Sequence, residues 1–146
     1  MKVYNALIVG CGYASLGYAA AIKNTVICEE QQICDTGFYF PLRSFKYIPY
    51  EAKTEAGASL KAIFEELSLF SSREQNTNGF ECAISKYIIE ANEEVLLKSR
   101  VIDIKKQSDR IFDVTLLTNE GLIHRFAKKV LWAKNISDKK RVTVLF

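Results

Sequence analysis

The tripeptide Gly10-Cys11-Gly12 constrains this chain more than any other feature, because of what flanks it. Before it lies Val3 to Val9, a short and nearly continuous apolar run, long enough for a strand buried on both faces. After it, Tyr13 to Lys23 is small and helix-compatible, with Ala14, Ala19, Ala20 and Ala21 permitting close packing. Thr25 to Cys28 is a second apolar, β-prone run, and it ends in two acids, Glu29 and Glu30. The order is strand, glycine turn, helix, strand. In such a unit Gly10 permits the tight turn, and Gly12 lets the backbone approach a pyrophosphate with no Cβ in the way. The start of the helix then offers N–H groups and a positive dipole end to the anion. Ser15 stands where the third glycine of the G-x-G-x-x-G pattern is expected, and Gly17 is expected to relieve the same crowding of helix against strand. Glu29 follows the turn at about the 20-residue distance at which a carboxylate accepts a ribose 2′-OH. That carboxylate would repel a 2′-phosphate, which argues against NADP. The plainer alternative is a glycine turn followed by a solvated acid.

Residues 31–53 form a long loop in this reading, with weak periodicity, both prolines (Pro41 and Pro49) and the aromatics Phe38, Tyr39, Phe40, Phe45, Tyr47 and Tyr50. Those rings serve either as a lid or, in the favoured reading, as a satellite cluster pinning the loop. Leu60, Ile63, Phe64 and Leu67 recur at helical spacing, predicting an amphipathic helix over 54–70. A polar loop at 71–78 follows. A second helix is predicted over 80–91, with Phe80, Ile84, Tyr87, Ile88 and Ala91 on one face. Glu94 to Lys105 reads as one long strand. Phe112, Val114 and Leu116 alternate with Asp113 and Thr115, the pattern of a half-buried strand. Asn119-Glu120-Gly121 is a tight turn, and Leu122 to Trp132 is the returning strand. With neither repeat nor linker, residues 1–146 read as one α/β domain.

Composition narrows the function. About half of the residues are hydrophobic, a quarter are charged, and the formal net charge is +3. No Lys/Arg run interleaved with aromatics accompanies that charge, so nucleic acid is not expected as a partner. No apolar run approaches the roughly 18–20 residues that span a bilayer. The glycine turn also interrupts the apolar start before a signal-peptide core forms, so a cytoplasmic protein is expected. The four cysteines, Cys11, Cys28, Cys34 and Cys82, have neither a closely spaced pair nor zinc-like spacing with the single histidine, His124. Four free thiols and no metal site are therefore expected, with Cys11 a small filler in its turn and His124 at the surface or the edge of the meander.

The segments IVGCGYASLGYAAAI, VICEE, EVLLKSRVIDI and FDVTLLTNEGLIHRFAKKVLWAK together resemble the FAD domain of the glutathione-reductase-like FAD-dependent oxidoreductases. That family folds as a Rossmann-like FAD/NAD(P)-binding α/β unit, in which a central parallel sheet carries a three-stranded antiparallel β-meander. The resemblance implies a pyrophosphate lined by Gly10, Gly12, Tyr13, Ala14 and Ser15, with Cys11 facing the same region. It implies an adenosine ribose held by Glu29, with Glu30 beside it. Val101 falls where the family contacts adenine through its backbone; its plain reading is a core valine. The cofactor implied is FAD, with NAD as the alternative. Trp132-Ala133-Lys134-Asn135 replaces an Ala-Thr-Gly-like turn of the family, and the family's later Gly-Asp element does not occur before Phe146. The expectation is thus a domain complete for the ADP half of FAD and completed for catalysis by a further segment or a second chain. No catalytic acid, base or nucleophile is assigned. The cationic stretch Lys128, Lys129, Lys134, Lys139, Lys140 and Arg141 is expected to be solvated. The β-prone Val142 to Phe146 is expected to add a strand to the sheet or to another subunit of a homo-oligomer. Two rival readings remain open: a non-catalytic module for NAD or an adenine nucleotide, and a degenerate fragment with an interaction role.

Overall fold

Asn5 interrupts the first apolar run, and the interruption sends its two halves into different sheets. The computed structural model describes residues 1–34, 51–66 and 82–133, together with the backbone of 44–45 and 75–81. Strand β1 (Val3–Tyr4) pairs in parallel with β9 (Gly121–Ala127), whereas β2 (Ala6–Val9) enters a separate parallel sheet. The same division occurs twice more. The predicted strand over 94–105 is broken at Leu97-Lys98-Ser99 into β6 (Glu94–Leu96) and β7 (Arg100–Ser108), with Lys98 at a φ of 48°. The returning strand is broken at Lys128-Lys129 into β9 and β10 (Val130–Trp132).

The parallel sheet has the order β10-β2-β3-β6, with β3 at Thr25–Cys28. The second sheet has the order β1-β9-β8-β7, where β7, β8 (Ile111–Thr118) and β9 form the expected antiparallel meander. A two-residue antiparallel pair joins β4 (Ser44–Phe45) to β5 (Gln75–Asn76). Helix α1 covers Tyr13–Ile22, α2 Glu55–Glu66 and α3 Thr77–Ala91. The third helix therefore begins before the predicted 80, and the second is described to Glu66. The rest of the predicted 54–70 helix, the aromatic side chains of the 31–53 loop, and Val142 to Phe146 lie outside the described residues.

Alternation along the central strands builds two cores. Ala6, Ile8 and Ile27 face the helices and pack with Leu16, Ala19, Ile63, Phe64, Ile84 and Ile88. Leu7, Val9, Val26 and Cys28 face the other way and pack with Tyr4, Val114, Leu116 and Ala127. Both β2 and β3 are buried along their whole length, which is why they carry unbroken apolar runs. Each fully buried aliphatic side chain among them contributes about 1.5–3 kcal/mol.

Three local devices hold the layers together. Asn5 uses the break in its strand to donate from Nδ2 to the Lys23 carbonyl (3.2 Å) at the end of α1. Asn92 donates from Nδ2 to the Ile88 carbonyl (2.8 Å) at the end of α3 and accepts from Thr25 Oγ1 (2.7 Å). Glu94 bridges the two sheets: Arg125 on β9 donates to its carboxylate at 2.7 and 2.6 Å, and Tyr4 on β1 donates its hydroxyl at 2.9 Å. Arg125 holds the Glu94 carboxyl below its ordinary range, partly opposed by burial. Burial, and then Glu94, push the Tyr4 phenol up to about 12.

Gly17 does not relieve crowding against the strand, as the sequence suggested. A Cβ there would lie 2.6 Å from the Ala56 carbonyl oxygen, so this glycine sets how closely α1 and α2 approach.

Candidate nucleotide site at the sheet switch point

From β2 the chain moves to β3 and then β6 on one side, and it returns through β10 on the other. The order reverses between β2 and β10, and in open α/β sheets ligands bind at such a point, beyond the carboxyl ends of the strands. Gly10-Cys11-Gly12 lies there, directly after β2 and before α1. The Ala133 N–H donates to the Val9 carbonyl (2.8 Å) and closes the β10 side of the crevice.

Gly10 has a φ of 105°, a conformation open to glycine and costly to other residues, so the tight turn needs this residue. Its N–H donates to the Cys28 carbonyl (2.7 Å) and ties the turn to the end of β3. Gly12 is extended and forms the N-cap of α1. Ser15, in the place of the third glycine, is fully buried. Its hydroxyl accepts from the Gly12 N–H (2.6 Å) and donates to the Gly12 carbonyl (2.7 Å). The departure from glycine thus gives the turn a polar brace.

Glu29 is buried at 5% exposure, and its Oε2 accepts from the Cys11 N–H (3.3 Å). Its backbone is also held: the Glu29 N–H donates to Leu96 (2.8 Å) and the Ser99 N–H donates to Glu29 (2.9 Å). The structure therefore brings together Gly10, Cys11, Gly12, Ser15 and Glu29, with Tyr13 and Ala14 opening α1 beside them. Glu30 points outward and pairs with Arg100 (3.7 Å). With Lys98, Ser99 and Leu117 to Asn119, these two line a cleft of about 330 Å³ next to the end of β3. Val101 lies one residue along β7, half-buried, and packs against the core between the sheets. It pairs with Leu116, and the register shifts just after it.

Cysteine pairing is a correction to the sequence reading. Cys11 and Cys34 form a disulfide across 23 residues, with their Cα atoms 4.7 Å apart. Cys28 and Cys82 are not disulfide-bonded. No close spacing announced the bond, because the fold supplies the proximity by returning the segment after β3 to the glycine turn. Ser99 was also missed: its hydroxyl donates to the Leu96 carbonyl (2.7 Å) and fixes the bend beside Glu29. His124 sits exposed on the meander, with Nδ1 2.8 Å from Asp113 Oδ1. Among the described residues no His/Cys/Asp/Glu group is arranged to hold a metal, and no helix is long and apolar enough to cross a membrane.

A parallel sheet with its glycine turn at the switch point, covered by helices on one face and a meander on the other, defines the Rossmann-type FAD/NAD(P)-binding fold. Comparison with known proteins agrees at the level of structure. No family model matches the sequence, and no curated protein matches it. Among solved structures, the chain is similar to the ornithine N-hydroxylase of Kutzneria sp. 744, solved with reduced FAD, NADP+ and L-ornithine. The TM-score is 0.63 at 16% identity, over 90% of this chain and 37% of that one. It is also similar to the L-proline dehydrogenase of P. horikoshii (TM-score 0.59, 14% identity, 91% of this chain and 22% of that one). A geranylgeranyl bacteriochlorophyll reductase-like protein of Thermoplasma acidophilum gives a TM-score of 0.55 at 15% identity, over 92% of this chain and 40% of that one. The chain thus spans well under half the length of these three structures.

Proposed function

We propose that this chain is the part of a glutathione-reductase-like, FAD-dependent oxidoreductase that holds the ADP half of FAD. One observation carries the reading: the glycine turn, the start of α1 and the buried Glu29 carboxylate converge at the switch point between β2 and β10. The start of α1 turns its positive dipole end toward a pyrophosphate, and extended Gly12 presents no Cβ to it. The N–H groups of Gly10, Cys11 and Gly12 themselves brace the turn, on Cys28, Glu29 and Ser15. In this reading the buried Glu29 carboxylate accepts from a ribose hydroxyl, and its two oxygens have the capacity to do so while Oε2 keeps the Cys11 N–H. The cleft beside Glu30, Ser99 and Leu117 takes the flat heteroaromatic base in the same reading.

The chemistry supplied when FAD is bound is hydride or electron transfer at the flavin, with the protein providing orientation and electrostatics. This chain's own part is to bind the pyrophosphate, orient the ribose through Glu29 and exclude a 2′-phosphate by charge. The walls around the flavin half would come from a further segment or a partner chain, a reading supported by the small share of the neighbours' length that this chain spans. Val142 to Phe146 is the segment we assign to pairing with that partner or with a second copy, and the cytoplasm is the compartment that fits.

A second reading has its own support. Every feature placed at the switch point addresses the ADP moiety that FAD and NAD share, so the chain would also serve as a nucleotide-binding module without catalysis. Visible absorption of the purified protein and thermal melts with FAD, NAD and ADP separate the two. Flavin bands that travel with the protein, or stabilisation by FAD well beyond that by ADP, are expected. Equal stabilisation by all three would favour the module. No shift with any of them would remove the cofactor assignment and leave the fold alone standing.

A further inference from the structure

The Cys11–Cys34 disulfide joins the middle of the glycine turn to the segment that leaves β3, and its two ends lie in different surroundings. Cys11 is 3% exposed, within the core on the helix side of the sheet. Cys34 is half-buried and lines a second cleft of about 500 Å³, together with Gln32, Ile33, Ser85 and Ile89. Ile33 beside it is 73% exposed. Backbone bonds fix the start of this segment, since the Ser99 N–H donates to Glu29 (2.9 Å) and the Lys98 N–H donates to Gln31 (3.0 Å). Beyond Gln31, among the described residues, the disulfide is the covalent tie that returns the chain to the turn.

We propose that this bond is an exchangeable clip on the nucleotide site, opened by thiol attack at Cys34. A thiolate reaching the cleft attacks Cys34 Sγ. The new sulfur–sulfur bond forms there, the Cys34–Cys11 bond breaks, and its electron pair leaves on Cys11 Sγ. Cys11 lies just ahead of α1, whose positive end favours a departing thiolate. A second small thiolate attacks the first small thiol's sulfur in the mixed disulfide, forming the small-molecule disulfide and releasing Cys34 as a thiolate. Two small thiols are oxidised to one disulfide, and the protein disulfide is reduced by the same two electrons. Attack at Cys11 is disfavoured by its burial. Opening the clip leaves Glu29 to Gln31 held by their backbone bonds and frees residues 32–34 from the turn. The closed form is the preorganised one and binds the dinucleotide more tightly. In the reducing cytoplasm of the proposed function, a disulfide that persists only under oxidation would couple nucleotide binding to the thiol pool.

This coupling rests on the FAD reading; the exchange chemistry does not, so the test has two arms. In the first, native protein is equilibrated in glutathione buffers of graded potential, alkylated and mapped by mass spectrometry. Cys11 and Cys34 are expected to titrate together, and the glutathione adduct is expected on Cys34. Full alkylation of both without reductant, an adduct on Cys11, or a pair reduced only as the protein unfolds would each overturn the proposal. In the second, FAD is titrated into oxidised protein, reduced protein and the variants Cys34→Ser and Cys82→Ser, each confirmed folded by circular dichroism. Reduced protein and oxidised Cys34→Ser are expected to bind on the order of tenfold more weakly than oxidised wild type, with Cys82→Ser unchanged. Equal FAD affinity in all forms overturns the clip while leaving the FAD reading intact. No FAD binding by any form overturns that reading and the coupling with it, and the first arm still decides the exchange.

Discussion

At the scale of single residues, the site depends on backbone conformations and contacts that few side chains tolerate. Gly10→Ala places a Cβ on a residue at φ 105° and should destabilise the protein by about 1–2 kcal/mol. It should also abolish the thermal shift with FAD, because the turn must re-form to avoid the strain. Gly17→Ala probes a different crowding. Its Cβ would meet the Ala56 carbonyl oxygen at 2.6 Å, so α1 and α2 must separate, at about 1–3 kcal/mol in urea unfolding. Nucleotide binding should survive, since the turn lies outside that contact. Glu29→Gln removes the charge proposed for the ribose. Hydrogen bonds to charged groups contribute about 1.5–3 kcal/mol, so the Kd for both FAD and ADP should rise at least roughly tenfold. A variant binding as wild type does would place the ribose elsewhere. The residues of this site were legible in the sequence because each has a local reason: glycine for a turn, a small residue at the helix start, an acid at a strand end. Ser99 and the disulfide partner of Cys11 had none, since their roles arise only when distant segments meet.

Between elements, Glu94 with Arg125 and Tyr4 joins the amino end of β6 to β9 and β1. It carries a pH dependence of definite sign. The Glu94 carboxyl is held below its unfolded value chiefly by Arg125. Its contribution is therefore complete above the unfolded carboxylate range, near pH 4.3, and is lost as the pH falls through the lower folded value. Urea midpoints measured from neutral to acid pH should fall more steeply in wild type than in Glu94→Gln, which should also be the less stable of the two at neutral pH. Tyr4 titrates with the opposite sign. With its phenol pushed up to about 12, chiefly by burial, the folded state favours the neutral form. That contribution is present below about pH 10 and is lost as the pH rises through about 12. Tyr4→Phe should flatten the alkaline limb of the same curve. Element types were readable from periodicity, and the sheet to which each belonged was not. The runs 3–9, 94–105 and 122–132 each look like one strand, because alternation and β-propensity are local. Their breaks at Asn5, Leu97 to Ser99 and Lys128-Lys129 come from crossing between two sheets.

For the whole molecule, the two cores share the strands β2 and β3, so neither layer is expected to unfold alone. Leu116→Ala, at the core between sheet and meander, should cost about 2–5 kcal/mol. The signal of Trp132, on the parallel sheet, and the far-ultraviolet signal should then fall in a single transition. Separate transitions would mean that the meander is an independent unit. The sequence by itself determined the strand–turn–helix–strand start, the alternating meander and the acid that follows β3. These depend on interactions within a few residues: apolar period, glycine conformation, and the anion preference of a helix start. Only the tertiary structure decided that one apolar run serves two sheets, that Gly17 spaces two helices, and that Cys34 closes on Cys11. Those outcomes depend on which distant backbone supplies a strand's hydrogen bonds and on which side chains share a core. Such pairings form between segments far apart in the chain, and no spacing along it encodes them.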